Sequence, residues 1–113
     1  MFESKLASAH TDQLCDVLVA VSSREEAYRL LDDLCTIAEV QALSQRLQVA
    51  RMLQGGATYQ EVVRVTGAST ATISRVNRCL TYGAEGYTRI FAKLRLTAHE
   101  DCLTAHEGDA SPS

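Results

Sequence analysis

Between Thr58 and Thr81 the chain has few options besides two short helices joined across a tight turn. Thr58-Tyr59-Gln60-Glu61 places a hydroxyl and a carboxylate three residues apart, the spacing at which each satisfies a free backbone N–H at a helix start. The helix it opens carries Val62, Val63 and Val65 and reaches only to Thr66, because Gly67 supplies the positive φ that ends it. Ser69 or Thr70 then caps a longer helix through Ala71, Ile73, Val76 and Leu80, closed near Tyr82-Gly83. A short helix, a glycine turn and a longer helix make a helix-turn-helix. Val62, Ile73 and Val76 have the spacing to hold its two helices at a fixed crossing.

The remainder of the chain reads as helix as well. Apolar residues make up 46% of 113 residues, mostly Leu, Val and Ala, with no Trp and one Pro, which favours an all-α protein of about six helices. A first helix is expected over residues 11–22, with Leu14, Val17, Leu18 and Val21 on one face and Thr11 or Asp12 as cap. A second follows Ser22 or Ser23, carries Ala27, Leu30, Leu31 and Leu34, and ends near Cys35. Thr36 and Glu39 form another capping box, opening a long helix with its apolar stripe at Ile37, Val40, Leu43, Leu47, Ala50 and Leu53. Gly55-Gly56 stops it. A last short helix, about 86–95, is expected to bury Tyr87, Ile90 and Phe91. Residues 1–96 are thus read as one domain, with helices 11–54 ahead of the motif at 58–81, and the polar, acidic stretch 97–113 is expected to be disordered.

Composition narrows the chemistry. Cys15, Cys35, Cys79 and Cys102 have no short ligand spacing, so neither zinc nor a redox pair is expected, and the thiols are read as reduced and mostly structural. His10, His99 and His106 lie outside the apolar pattern and are read as solvated. No paired carboxylates and no Ser/His or Cys/His arrangement stand at a readable spacing, so the chain is not expected to be an enzyme. With no apolar stretch of membrane-spanning length and no leader pattern at Met1–Lys5, a cytoplasmic protein is expected.

The formal net charge of -3 hides an uneven division. Residues 1–41 contribute -5, residues 42–95 contribute +6 and residues 96–113 contribute -4. A basic segment around the motif suits phosphate binding through one face. At the start of the second motif helix, Ala68, Ser69, Thr70, Ala71 and Thr72 offer short hydroxyls, methyls and free N–H groups suited to phosphates and thymine methyls. Ser74, Arg75 and Arg78 point outward along the same helix to reach bases or phosphates. The competing reading is a plain helical hairpin, or a protein–protein interaction module that does not bind DNA. The run Ser69-Thr70-Ala71-Thr72-Ile73-Ser74 weighs against the hairpin, being rich in poor helix formers along a helix surface.

The run Thr66–Leu80, with Leu31-Asp32-Asp33-Leu34-Cys35-Thr36 and Gln45-Arg46-Leu47 upstream, resembles the YerC/YecD branch of the Trp-repressor superfamily, over roughly Glu25 to Phe91. The resemblance implies an interlocked homodimer whose N-terminal helices share one core and whose helix-turn-helix units project from its ends. It implies a regulator, most simply a repressor, of double-stranded DNA. Tyr59 and Gln60 match phosphate-contacting positions, Ala68, Ser69, Thr70, Ala71, Thr72 and Ser74 match the DNA-facing helix start, and Arg75 matches an arginine that also stacks on bound tryptophan. A ligand pocket would involve Gln45, Arg46, Arg75 and Cys79. Here the sequence departs from the repressor: Gln45 stands at the partnering arginine, Val76 at the glycine that makes room for the indole, and Cys79 at the serine near the ligand's ammonium group. A filled slot and a lost cation argue against tryptophan as corepressor and leave another small ligand, or none, open. Independently, three amphipathic helices beside a small motif leave a wide apolar face, which a symmetric copy commonly covers. A twofold dimer sets two recognition helices about 34 Å apart, which predicts a palindromic operator.

Overall fold

The computed structural model describes residues 2–94. They form six helices: α1 Ala9–Ala20, α2 Arg24–Leu34, α3 Ile37–Gln54, α4 Tyr59–Thr66, α5 Thr70–Tyr82 and α6 Gly86–Leu94. No strand occurs among the described residues. The chain divides into two compact units, one up to Val40 and one from Gln41 onward. The acidic stretch from residue 97, with His99, Cys102 and His106, lies outside the described residues.

Local chemistry sets the boundaries. α1 begins earlier than the sequence suggests, because Ser8 rather than Thr11 or Asp12 is the cap: its hydroxyl accepts the Thr11 N–H at 3.1 Å. Ser23 caps α2 by accepting from the Glu26 N–H, and Cys35 closes it. Thr36 and Glu39 make both bonds of the expected capping box, at 2.8 and 3.1 Å. Gly56, at φ 91°, turns the chain out of the long helix.

At the start of α2, Glu26 reaches back to Ser22. Its carboxylate accepts from the Ser22 backbone N–H at 2.9 Å and from the Ser22 hydroxyl at 3.0 Å. The backbone bond first, and the hydroxyl second, hold the Glu26 carboxyl below its ordinary value of 4.5. A lowered acid stabilises the folded helix start fully above that ordinary value and loses its contribution as pH falls through the lowered one. The Ser22 amide proton is therefore expected to shift with a midpoint below 4.5 in an NMR titration, and the step is expected to vanish in Glu26→Gln.

In the unit from Gln41 onward, Val49, Ala50, Met52, Val62, Ala68, Ile73, Val76 and Phe91 form one buried cluster. Leu53, Ala57, Val65, Leu80 and Tyr87 pack around it. The burial of Val62, Ile73 and Val76 follows the sequence expectation. Two expectations are corrected. On α3 the buried face runs through Val49, Ala50 and Met52, whereas Ile37, Leu43 and Leu47 of the expected stripe are exposed. On α6 Phe91 is buried and Tyr87 half-buried, but Ile90 is 50% exposed. The reason is shared: both helices carry apolar side chains on more than one face, and only packing into the common cluster selects one. α1 and α2 bury no side chain in the single chain; Leu14, Val17, Leu18 and Leu34 are all exposed.

Candidate nucleic-acid interface

The motif is assembled by caps outside and by the cluster inside. Thr58 and Glu61 complete a reciprocal capping box, the Thr58 N–H donating to Glu61 Oε1 at 2.8 Å and the Glu61 N–H to Thr58 Oγ1 at 3.1 Å. Gly67 takes φ 71°, and its N–H donates to the Val63 carbonyl at 2.9 Å, ending α4 in the left-handed conformation that glycine adopts without strain. Ser69 caps α5, its hydroxyl accepting the Thr72 N–H at 3.1 Å. The inner faces then close: Val62 and Ile73 have no exposure and Val76 has 1%.

This arrangement sends one side of α5 to solvent. Ser69, Thr70, Ala71, Ser74, Arg75 and Arg78 are exposed, as are Tyr59 and Gln60 at the start of α4. The first amides of α5 lack intrahelical partners and carry the positive end of the helix dipole, which favours an anion there. An open cleft of about 670 Å³ runs along the outer side, lined by Tyr59, Ser74, Arg75, Asn77, Arg78, Thr81 and Tyr82. The exposed arginines give the cleft a cationic wall, and Tyr59 brings the start of α4 to it.

Two sequence-derived site residues are placed differently from the expectation. Ala68 is 3% exposed, and its N–H already donates to Thr66 Oγ1 at 3.0 Å, so it belongs to the core rather than to the outer surface. Thr72 is half-buried, its hydroxyl accepting from Ser69 Oγ at 3.1 Å. Conversely, Asn77, Thr81 and Tyr82 line the cleft and were not singled out from the sequence. Their spacing held the signal: Asn77, Arg78 and Thr81 follow Ser74 by three, four and seven residues, and Tyr82 follows Arg75 by seven, which is one helical face.

The residues expected around a ligand point to different surroundings. Arg75 lines the outer cleft. Cys79 lines an apolar concavity of about 400 Å³ with Leu47, Tyr87, Ile90 and Phe91. Burial there pushes the Tyr87 phenol above its usual range, Cys79 adds to the shift and Arg46 opposes it. The Gln45 amide donates to the Thr66 carbonyl at 3.2 Å, and Arg46 Nε donates to the Ala42 carbonyl one turn back on its own helix at 3.4 Å. Cys15 and Cys79 are exposed free thiols and Cys35 is half-buried, so the first two are not packed as the sequence reading expects. Among the described residues no cluster of His, Cys, Asp or Glu is arranged to hold a metal ion. No helix among them is long and apolar enough to cross a membrane.

The same architecture recurs in known proteins. The family model of the Trp repressor protein matches residues 9–95. The uncharacterized protein YerC of Bacillus subtilis (strain 168) is 50% identical over 96 residues, covering 85% of this chain and 92% of that protein. The crystal structure of a candidate Trp repressor from Staphylococcus aureus superposes with a TM-score of 0.77 at 49% identity, covering 80% of this chain and 91% of that one. A TrpR-like protein from Eubacterium eligens ATCC 27750 gives a TM-score of 0.77 at 47% identity, covering 81% and 95%. The Trp repressor-like family consists of regulatory DNA-binding proteins rather than enzymes. With its helix-turn-helix, its Ser69-capped second motif helix and half-identical relatives over most of its length, this chain belongs to the Trp repressor family, in the YerC-like branch.

Proposed function

We propose that the protein is a sequence-specific transcriptional regulator, acting as a repressor, that binds a palindromic operator as a homodimer. The observation that carries this reading is the two-sidedness of α5: Ile73 and Val76 anchor it in the core while Ser74, Arg75 and Arg78 stand exposed on its other side. A rigid helix with a polar, cationic outer face fits the major groove, where Thr70, Ala71, Ser74 and Arg75 meet base edges and Ser69, Tyr59, Gln60 and Arg78 meet phosphates. The exposed apolar faces of α1 and α2 support the dimer, since each requires a cover. In that dimer residues 1–96 act as one cooperative unit, in the cytoplasm.

Selection from a pool of random duplexes tests the reading. Enrichment of half-sites one helical turn apart is expected, with affinity falling as salt rises. Arg75→Ala is expected to weaken the selected duplex by roughly 5- to 150-fold, the range for losing one arginine contact to a base. Retained binding by this variant would remove Arg75 from the interface. Binding to a protein target in high salt with no duplex enriched would favour an interaction module instead.

A further inference from the structure

The hydrogen bond from Gln45 to Thr66 ties the central helix to the end of the motif's first helix. Thr66 is the last residue of α4, and its carbonyl is one of the four that a helix leaves without an internal partner. In its half-buried position it receives the Gln45 amide at 3.2 Å, across 21 residues of sequence. The Thr66 side chain works on the same turn from the other direction: Oγ1 donates to the Val62 carbonyl at 2.7 Å and accepts the Ala68 N–H at 3.0 Å. The Ala68 methyl is buried in the cluster, and Gly67 between them holds φ 71°. Every residue of the turn Thr66-Gly67-Ala68 is therefore held by a bond, a buried contact or a backbone state, and the cap of α5 follows immediately at Ser69.

Resting on the reading of α5 as the DNA-recognition helix, we propose that Gln45 is an internal clamp that fixes the motif against α3, so that the protein binds DNA without a small-molecule effector. A ligand shifts a conformational equilibrium only through its differential affinity for two populated states. A turn secured by its own chain leaves little of a second state to shift. The side chains agree with this: an N–H of the Gln45 amide is engaged by the Thr66 carbonyl, Arg75 faces the outer cleft, and the side chain of Val76 is packed into the core. Gln45 is thus a positioning residue, touching no DNA itself.

The test uses the full chain, stripped of small molecules by unfolding, dialysis and refolding, and the variants Gln45→Met and Gln45→Glu. Amide hydrogen exchange in the free protein reads the clamp directly. Loss of one net hydrogen bond is expected to speed exchange at Gly67 and Ala68 by roughly 2- to 12-fold while leaving Val49 and Met52 unchanged. Unchanged exchange at the turn overturns the clamp, and general acceleration including Val49 reduces Gln45 to a residue of overall stability. The stripped wild type is expected to bind its selected duplex with the same affinity, within twofold, with and without a metabolite extract. Both variants are expected to lose affinity for that duplex by a similar factor as in exchange, with their salt dependence unaltered. Selective DNA binding that appears only with the extract overturns effector independence while sustaining the DNA reading. No duplex selected in either condition overturns the DNA reading itself, whatever the exchange result.

Discussion

Ile73→Ala is expected to cost about 2–5 kcal/mol, the range for removing a large aliphatic side chain from a packed core. Ile73 has no solvent exposure and sits in a cluster of eight buried side chains with Val49, Met52, Val62 and Val76 among them. A core this small has few neighbours able to relax into the space, and domains of this size have only about 5–15 kcal/mol in total. The midpoint of thermal unfolding is expected to fall by roughly 4–8 °C for each kcal/mol lost, as read by circular dichroism. Ser74→Ala, one position along and exposed, is expected to stay within about 0.5 kcal/mol of the wild type while still reporting on DNA. A loss below about 1 kcal/mol for Ile73→Ala would mean that α5 is not anchored through this cluster.

The second large effect concerns α1. Leu14, Val17 and Leu18 stand one face apart at helical spacing, and their exposures in the single chain are 42%, 39% and 50%. If a second copy covers that face, Leu18→Asp buries an unpaired carboxylate in an apolar interface and disfavours the dimer strongly. On the proposed reading a monomer offers one α5 to an operator built for two, and the linked second contact is worth roughly 10²- to 10⁴-fold in affinity. Sedimentation equilibrium is expected to show a lighter species, and titration of the selected duplex a loss of that order. The milder Leu18→Ala is expected to raise the dimer dissociation constant while keeping the helices. An aspartate variant that remains dimeric and binds as the wild type does would place the interface elsewhere.

These expectations separate what lies in local sequence from what does not. Helix starts and stops were readable because each depends on a few adjacent atoms. Thr36 with Glu39, Thr58 with Glu61, and Gly67 at positive φ act within one turn of chain. Even the misplaced start of α1 is a local matter, since Ser8 is simply a cap three residues before Thr11. The outward set on α5 was equally legible, because Ile73 and Val76 declare the inner side and helical geometry assigns the rest. Asn77, Thr81 and Tyr82 follow from the same spacing and needed only to be extended along it.

Local chemistry thus settles the order of six helices and most of their ends, α1 excepted, together with the glycine turn between α4 and α5 and the polar outer face of the second motif helix. Hydrogen bonds within a turn and the 3.6-residue repeat carry that information without reference to distant residues. Long-range packing settles which face of α3 is buried, that Ala68 belongs to the core, and that the Gln45 amide donates to the Thr66 carbonyl. α3 has apolar side chains around much of its circumference, an alanine suits surface and core alike, and a glutamine's partner can lie anywhere its amide reaches. Each of those outcomes depends on which neighbours long-range packing brings close, a quantity with no signature in local spacing.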